Sequence, residues 1–305
     1  MQGRIINLNG GKYQVALEDN SIVTIPARGK FRSIKTIQAN PNSLSKKEIT
    51  QIVKVSPKVG DFVSVADGRI DTLLERKNEL VRPDIANVDQ ILLVFAAKEP
   101  DFSSYLLDLF LVNITRKHIF PIIVITKIDK MTKEELINLK KELSYYEQMG
   151  YPVCYVNSKT KEGVSLVAEL LEGKVTVLSG QTGAGKSTLI NAILPNFELK
   201  TQEISQALGR GKHTTRETTL YSYKAGYIGD TPGFSKLDVI GIEKRELSGL
   251  FVEFSNEFCR FKDCLHQKNA KECGIHQAVS KGKILSSRYE NYLKMLSLIE
   301  KGEKR

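Results

Sequence analysis

The sequence predicts a multidomain protein with an N-terminal all-β barrel, a central α/β domain and a mainly α C-terminal domain. Three changes of pattern along the chain support this fold class. Residues 1–68 contain short strands separated by turn residues, residues 69–240 alternate apolar strands with helices, and residues 241–305 are helical and charged. A chain of 305 residues is long enough for two or three domains of roughly 100–200 residues each.

The first 68 residues have the pattern of a small β-barrel. Five short runs bounded by turn residues such as EDNS and PKVGD predict strands: GRIINL, KYQVALE, SIVTIPA, QIVKV and DFVSVAD. Five strands with basic side chains fit an OB-type barrel, a common platform for oligonucleotides, although SH3-like barrels have a similar pattern. We expect residues 38–48, QANPNSLSKKE, to form an exposed, mobile loop.

The net charge of +10 is unevenly distributed along the chain. Residues 1–70 carry 11 Lys and Arg against 5 Asp and Glu, residues 71–240 carry 21 of each, and residues 241–305 carry 13 against 9. The excess positive charge therefore lies on the two flanks, as expected for a protein that binds a polyanion such as nucleic acid. On either flank alone, lysines kept for solubility would give the same composition.

We expect a cytoplasmic monomer that does not associate with membranes. No apolar run approaches the ~20 residues that a membrane span needs. The start of the sequence, MQGRIINLNGG, has neither an apolar signal core nor an Arg- and Ser-rich transit character.

From about residue 85, near-continuous apolar runs indicate parallel strands that are covered on both faces. These runs are VDQILLVFAA, IFPIIVITKID, YPVCYVNS and KVTVLSG. Helical stretches lie between them, which predicts a doubly wound α/β domain. Two further short strands follow in TTLYSYKAGYIGDTPG.

The segment GQTGAGKST after the fourth run matches the phosphate-binding P-loop, G-x4-G-K-[ST]. In such a loop the backbone N–H groups and the N-terminus of the next helix surround the phosphates. The lysine reaches the terminal phosphates and the hydroxyl of the next residue binds Mg²⁺. The predicted phosphate-binding residues are Gly180, Gln181, Thr182, Gly183, Ala184, Gly185, Lys186, Ser187 and Thr188.

Three further segments indicate which nucleotide is bound. Asp230-Thr-Pro-Gly233 ends a strand, where Asp230 would help to hold Mg²⁺ and the N–H of Gly233 would sense the γ-phosphate. TKID, with Thr126, Lys127 and Asp129, ends another strand. A carboxylate there can accept from N1–H and the amino group of guanine, which adenine cannot offer. The NSK segment, with Ser158 and Lys159, would complete the base pocket, although an ordinary strand-to-helix turn has the same pattern.

The order of these motifs is that of a Ras-like GTPase opened at a different point. A Ras-like chain runs through the phosphate loop, a switch Thr, DxxG, [NT]KxD and a last base loop. This chain runs through TKID, NSK, the phosphate loop, a Thr-rich segment and DTPG. The sequence therefore has the same cycle of motifs, opened between DxxG and [NT]KxD.

Cys259, Cys264, His266 and Cys273 match the spacing of a tetrahedral Cys₃His zinc site. In a cytoplasmic protein such a cluster more often binds a metal than forms disulfides, and three cysteines cannot all pair. Because four ligands leave no open position, we expect one structural Zn²⁺ that stabilises a small domain. His276 is a weaker candidate for the fourth ligand.

With these motifs, nearly the whole chain resembles the circularly permuted GTPases that depend on the small ribosomal subunit (the RsgA, or YjeQ/YloQ, type). The resemblance implies an OB-fold barrel at 1–68, a permuted GTPase domain at 69–240 and a zinc-binding helical domain at 241–305. It also implies GTP and GDP as ligands and binding to the small (30S) subunit, through 16S rRNA and nearby proteins, late in assembly. Hydrolysis would be stimulated by the subunit. Thr126 stands where many GTPases have Asn, which removes one amide contact near the base.

The residue after DTPG is Phe234, where Ras-like enzymes often have a Gln that orients the attacking water. We therefore expect slow hydrolysis unless another group is supplied. Within GRGKHTTRETT, Thr214 or Thr215 would complete the Mg²⁺ shell. His213 would position or deprotonate water, and the family resemblance points to the same histidine. The alternative role for His213 is a polar contact to phosphate or to the subunit.

Two other functions fit parts of the sequence. The first is an RNA- or ribosome-binding module that keeps a bound guanine nucleotide for structure, with little turnover, and Phe234 leaves this alternative open. The second is an ATP-dependent enzyme, which TKID disfavours.

Overall fold

The structure is a computed structural model that describes residues 1–29, 34–38, 49–53, 56–81, 83–195, 218–230 and 237–302. The described residues form two compact units. The first contains residues 1–88 with 218–221 and 229–230, and the second contains the other described residues of 89–302. Within these ranges, no helix combines the length and the apolar character that a membrane span requires.

The first unit is built on a five-stranded antiparallel sheet. The strands of this part of the chain are β1 (Gln2–Asn9), β2 (Lys12–Leu17), β3 (Ile22–Pro26), β4 (Ile34–Gln38), β5 (Ile49–Val53), β6 (Phe62–Ala66) and β7 (Arg69–Leu73). The sheet has the order β3-β2-β1-β6-β7. Ala27, directly after β3, pairs in parallel with Ile70 of β7, so the two edges meet and the sheet closes into the predicted barrel. Ile5, Val15 and Val63 are fully buried in its core.

One predicted barrel strand is wrong. The run QIVKV overlaps β5, which pairs with β4 in a separate two-stranded sheet. The fifth strand of the barrel is instead β7, RIDTL, which pairs with β6. Charged side chains interrupt the apolar pattern of RIDTL, because only one of its faces is turned to the barrel core. Most of the loop predicted at 38–48 lies outside the described residues.

A six-stranded sheet carries the predicted α/β domain. Its strands are β10 (Gln90–Ala96), β11 (Phe120–Thr126), β12 (Val153–Tyr155), β13 (Val175–Gly180), β14 (Thr219–Tyr223) and β15 (Gly226–Asp230), and the short strands β8 (Glu79–Leu80) and β9 (Ile85–Ala86) precede it. The helices between its parallel strands are α1 (Ser104–Thr115), α2 (Lys133–Gln148) and α3 (Val164–Leu170), and α4 (Lys186–Ile193) follows β13. All seven residues of β10 are buried, as expected for a central strand covered on both faces.

The strand order β12-β11-β10-β13-β15-β14 confirms the predicted permutation. The strand that leads into the phosphate loop, β13, lies in the middle. The strands that precede it in the chain lie on one side, and β15 and β14 lie on the other. Because β10 pairs in parallel with both β11 and β13, the carboxyl ends of these strands meet at one edge of the sheet. The base-reading loops therefore lie beside the phosphate loop although they come earlier in the chain.

Side chains at their first turns fix where α1 and α2 begin. Ser103 caps α1, because its hydroxyl accepts from the backbone N–H of Leu106 at 3.3 Å. Thr132 and Glu135 form a reciprocal capping box at the start of α2. Both helices therefore start directly after the loops that approach the nucleotide motifs.

The C-terminal part of the second unit is helical. It contains α5 (Lys244–Leu250), a 3₁₀ turn at Val252–Asn256, α6 (Gly274–Ser280) and α7 (Ser286–Gly302). Its core includes Phe251, Phe254, Tyr292 and Leu296, and Val112 of α1 belongs to the same cluster. The C-terminal helices therefore share a hydrophobic core with α1 of the α/β domain.

Candidate nucleotide site and metal centre

The phosphate loop runs from the last residue of β13 to the first turn of α4. Gly180, Gly183 and Gly185 have φ angles of +123°, +77° and +82°, which side chains rarely adopt. A Cβ on Gly180 would lie 2.1 Å from the carbonyl oxygen of Val94, so β10 passes too close for any other residue. The conformation of this loop therefore depends on the glycines of the motif.

Lys186 and Ser187 open α4. The ammonium of Lys186 donates to the carbonyl oxygens of Gly180 at 3.2 Å and Gln181 at 2.8 Å, which holds it over the loop. Burial lowers the pKa of Lys186 from its ordinary value. Ser187 is exposed in the first turn, where its hydroxyl is free to reach a metal ion from solvent.

A cavity of about 250 Å³ lies beside the phosphate loop. It is formed by the loop after β11, the loop after β12 and the start of α4. The residues that line it are Thr126, Lys127, Asp129, Lys130, Asn157, Ser158, Lys159, Gly185 and Thr188. The structure thus brings together the three segments that the sequence assigns to base and phosphate binding.

Asp129 and the NSK segment form the polar side of this cavity. The carboxylate of Asp129 is partly exposed and lies 3.4 Å from the ammonium of Lys159. The side-chain oxygen of Asn157 accepts from the backbone N–H groups of Lys159 at 3.1 Å and Thr160 at 3.4 Å. These hydrogen bonds fix the turn after β12, as a short polar side chain commonly does.

Thr126 and Lys127 connect the base-reading loop to the phosphate loop. Thr126 is buried, and its hydroxyl lies 2.5 Å from the carbonyl oxygen of Ala184 and 3.2 Å from that of Phe95. The ammonium of Lys127 donates to the carbonyl oxygen of Gly183 at 2.8 Å. The threonine that replaces the usual asparagine therefore makes a direct contact to the phosphate loop.

Sequence reasoning missed the loop after β10. The side-chain amide of Gln181 donates to the carbonyl oxygen of Asp101 at 2.9 Å, and the ammonium of Lys127 also donates to that of Glu99. Both contacts use backbone oxygens, which no residue pattern can reveal. Residues 99–101 therefore hold two of the predicted nucleotide-binding residues, Lys127 and Gln181, without a sequence signal.

The predicted switch residues His213, Thr214, Thr215 and Gly233 lie outside the described residues. Asp230 is the last residue of β15, which is the neighbour of β13 in the sheet. The DTPG motif therefore begins at a strand end, as predicted.

The four predicted metal ligands converge. The sulfur atoms of Cys259, Cys264 and Cys273 and a ring nitrogen of His266 lie within 4.8 Å of one another. The sulfurs of Cys259 and Cys273 are 3.7 Å apart, close to the edge of about 3.8 Å in a tetrahedron with Zn–S distances of about 2.3 Å. Nδ1 of His266 lies 3.4 Å and 3.5 Å from these two sulfurs. The donor set therefore fits a closed tetrahedral site.

The surroundings of the cluster orient His266. Its Nε2 lies 2.8 Å from the hydroxyl of Ser248 on α5, which leaves Nδ1 facing the sulfurs. Nε2 of His276 instead lies 2.8 Å from the hydroxyl of Tyr289. Burial raises the pKa of Cys273 to about 12 and lowers that of His266.

A buried charge cluster joins the C-terminal helices to α1 and α2. The guanidinium of Arg288 lies 2.5 Å from Asp108 and donates to both oxygens of Glu253 at 2.8 Å and 3.1 Å. The side chains of Asn291 and Tyr146 each donate to Asp108 at 2.8 Å. The exposed fractions of Arg288, Asp108 and Glu253 are 1%, 0% and 8%. These charged side chains are therefore part of the protein core and not of its surface.

Helix α1 also holds the chain that leaves the DTPG segment. The amide of Asn113 donates to the carbonyl oxygen of Asp238 at 3.2 Å, and Arg116 donates to that of Gly241 at 2.5 Å. Arg116 also donates to Glu246 in the first turn of α5 at 2.6 Å. Residues shortly after DTPG and the first turn of α5, the helix whose Ser248 contacts His266, are thus anchored on the same helix.

Comparison with known proteins agrees with this arrangement. The family model described as RsgA GTPase matches residues 73–240. Proteins named small ribosomal subunit biogenesis GTPase RsgA from Geobacillus sp. (strain WCH70) and Onion yellows phytoplasma are each 42% identical to this chain. The alignment covers 100% of this chain and 99% of the first relative, and 94% and 93% for the second.

Two solved structures share the whole fold. The crystal structure of YjeQ from Thermotoga maritima is 33% identical, with a TM-score of 0.79 over 97% of both chains. The crystal structure of YloQ, described as a circularly permuted GTPase, is 33% identical, with a TM-score of 0.78 over 98% of this chain and 95% of that chain. The chain therefore belongs to the RsgA GTPase family and is a circularly permuted GTP hydrolase.

Proposed function

We propose that this protein is a cytoplasmic, monomeric molecular switch in the late assembly of the small ribosomal subunit, which stimulates its GTP hydrolysis. The observation that carries the proposal is the cavity that combines TKID, NSK and the phosphate loop in one site. Relatives that match along almost their full length are named for biogenesis of that subunit. The two basic flanks of the sequence support an RNA-containing partner, the 16S rRNA and nearby proteins.

Asp129 selects guanine in this proposal. Its carboxylate lines the cavity and accepts from N1–H and the 2-amino group of guanine, two donors that adenine lacks. The stem of Lys127 lies along the base, since its ammonium is held by the loops on either side. Ser158 completes the pocket through its backbone N–H and Lys159 through its side chain, because the backbone N–H of Lys159 already donates to Asn157.

The phosphates lie along the loop at 180–188, between the backbone N–H groups, Lys186 and the start of α4. Ser187, Asp230 and Thr214 or Thr215 would hold Mg²⁺, which when bound offsets the negative charge that develops during phosphoryl transfer. Gly233 senses the γ-phosphate through its N–H. His213 positions or deprotonates the attacking water, a role that Phe234 cannot fill.

Cys259, Cys264, His266 and Cys273 hold one structural Zn²⁺ in this proposal. The support is the convergence of their ligand atoms within 4.8 Å and the orienting contact between His266 and Ser248. When bound, the metal would cross-link the loop between α5 and α6, which contains no strand and no long helix among the described residues. Metal analysis of the purified protein should give one zinc per chain, and a protein that folds without it would contradict the assignment.

The experiment that tests the function is GTP turnover measured alone and with purified small subunits. We expect slow turnover alone and strong stimulation by the subunits. Turnover that stays slow while the subunits bind would instead support a module that keeps its nucleotide for structure.

His213→Ala tests the catalytic role within the same assay. We expect it to lose the stimulated turnover while GTP binding and subunit binding are kept. His118→Ala is the matched control, because His118 is an exposed histidine in the turn after α1. Full stimulation of His213→Ala would exclude the role of His213 in positioning water.

A further inference from the structure

Two phenylalanine rings are exposed on the cysteine loop, residues 257–273. Phe258 is 93% exposed and Phe261 is 50% exposed, whereas the nearby Phe251 and Phe254 are 0% and 4% exposed. Both exposed rings therefore forgo the free energy that burial would provide. Single exposed apolar residues are common, but Phe258 is almost fully exposed and a second exposed ring follows three positions later in the same loop.

The backbone that carries Phe258 is fixed by the metal cluster and by α6. A Cβ on Gly274 would lie 2.2 Å from the carbonyl oxygen of Phe258, so the first turn of α6 packs directly against this peptide. The N–H of Gly274 donates to the sulfur of Cys259 at 3.3 Å. The N–H of Arg260 donates to the carbonyl oxygen of Glu272 at 3.3 Å. The ring thus projects from an ordered loop, and little ordering has to accompany binding of a partner.

The exposed charged side chains of the cysteine loop are mostly lysine and arginine. The guanidinium of Arg260 lies 5.8 Å from the centre of the Phe261 ring. Between Cys259 and Cys273 the exposed charged residues are Arg260, Lys262, Lys268 and Lys271 against Asp263 and Glu272, and Arg260 is ion-paired with Glu272, so the three lysines supply the excess positive charge. Lysine is depleted at protein–protein interfaces, whereas lysine and arginine commonly contact phosphates. Charge therefore favours a nucleic acid over a protein as the partner of this surface.

We infer that Phe258 is a stacking platform for an unpaired RNA nucleotide, with the basic side chains of the cysteine loop on the adjoining phosphates. Unpaired bases stack on exposed aromatic rings, and cationic groups beside the ring meet the backbone. The inference rests on the proposed function, because the small subunit supplies the RNA. It adds to that function the chemistry and the place of one contact.

The test is fluorescence anisotropy with labelled single-stranded RNA of about eight nucleotides. We expect Phe258→Ala to bind about 5- to 100-fold more weakly and Phe258→Trp to bind at least as well as the wild type. Phe120→Ala is the matched control, since Phe120 is 47% exposed at the start of β11, and it should bind like the wild type. Because the Phe258 ring is exposed, zinc content, thermal unfolding and basal GTP turnover of Phe258→Ala should stay unchanged.

Unchanged RNA affinity of Phe258→Ala, or no measurable binding by the wild type, would overturn the inference. Weaker binding to small subunits with unchanged RNA affinity would show that the ring meets a ribosomal protein. Self-association that Phe258→Ala abolishes in sedimentation velocity would show that a second copy covers it, and either result overturns the inference. Failure of the proposed function looks different: RNA binding would depend on Phe258, but small subunits would not stimulate GTP turnover.

Discussion

Replacing Arg288 with methionine removes the cation on which the buried charge cluster depends. Methionine keeps most of the apolar stem but leaves the carboxylates of Asp108 and Glu253, which are 0% and 8% exposed, without their partner. Removing one member of a buried ion pair costs about 3–5 kcal/mol. This is a large share of the roughly 5–15 kcal/mol by which proteins are stable.

The assay is urea unfolding followed by far-UV circular dichroism, which reports the helices of the second unit. We expect Arg288→Met to lower the free energy of unfolding by about 3–5 kcal/mol. Arg260→Met is the matched control, because Arg260 and Glu272 form an ion pair that is 63% and 58% exposed. It should cost less than about 1 kcal/mol. Adding Asp108→Asn to Arg288→Met should restore part of the loss, since one unpaired charge is removed.

The loss of stability in Arg288→Met should depend on pH. Burial raises the pKa of Asp108 above its ordinary value. Because the pKa of Asp108 is higher in the folded than in the unfolded state, protonated Asp108 favours folding. This contribution to stability is complete below the unfolded pKa, about pH 4, and is lost as the pH rises through the folded pKa. The charge of Arg288 opposes this rise, so its removal raises the pKa further. The deficit of Arg288→Met should therefore be smaller at about pH 5 than at about pH 8. Equal deficits at the two pH values, or a loss no larger than that of Arg260→Met, would refute this reasoning.

Three other substitutions test the site. Asp129→Asn should weaken GDP binding by about 10-fold or more and improve binding of xanthosine diphosphate (XDP), because an amide can donate to the C2 carbonyl of xanthine. Competition among GDP, XDP and ADP measures this preference, and an unchanged preference for GDP would contradict the role of Asp129. Thr126→Val should lower the free energy of unfolding in urea by about 1–3 kcal/mol and weaken nucleotide binding, because the carbonyl of Ala184 in the phosphate loop loses its donor. A free energy of unfolding equal to that of the wild type would show that this hydrogen bond does not stabilise the loop. Ser248→Ala should weaken zinc retention against a chelator by about 10- to 100-fold, whereas Ser255→Ala, an exposed serine, should not.

Several features of the site followed from residues that are close together in the sequence. The phosphate loop is a local structure, since glycines at fixed spacing supply the positive φ angles that it needs. The cysteine cluster is nearly local, because three of its four ligands need only short turns between them. The helix α7 is also a local structure, because Tyr292, Leu296 and Ile299 recur at helical spacing and are buried in the core.

Other features could not be predicted because they depend on residues far apart in the chain. In α7 the spacing of the apolar residues does not reveal that Arg288 and Asn291 are buried beside Asp108. The barrel strand β7 was not predicted, because its charged residues interrupt the apolar pattern of a strand. It pairs with β6, and its pairing with Ala27, which closes the barrel, joins residues far apart in the sequence. Likewise, a lone threonine in TKID gave no sign that its hydroxyl contacts the phosphate loop.

By itself, the sequence determined which chemical groups the chain carries and the order of its motifs, because the glycine, lysine, carboxylate and thiol motifs are recognised by residue type and spacing. The opened cycle of GTPase motifs was visible in that order alone. The tertiary structure decided which groups are buried and which strands are neighbours, because burial and pairing are set by packing across the whole fold. The exposed ring of Phe258 and the buried charge of Arg288 both run against what their residue types alone would predict.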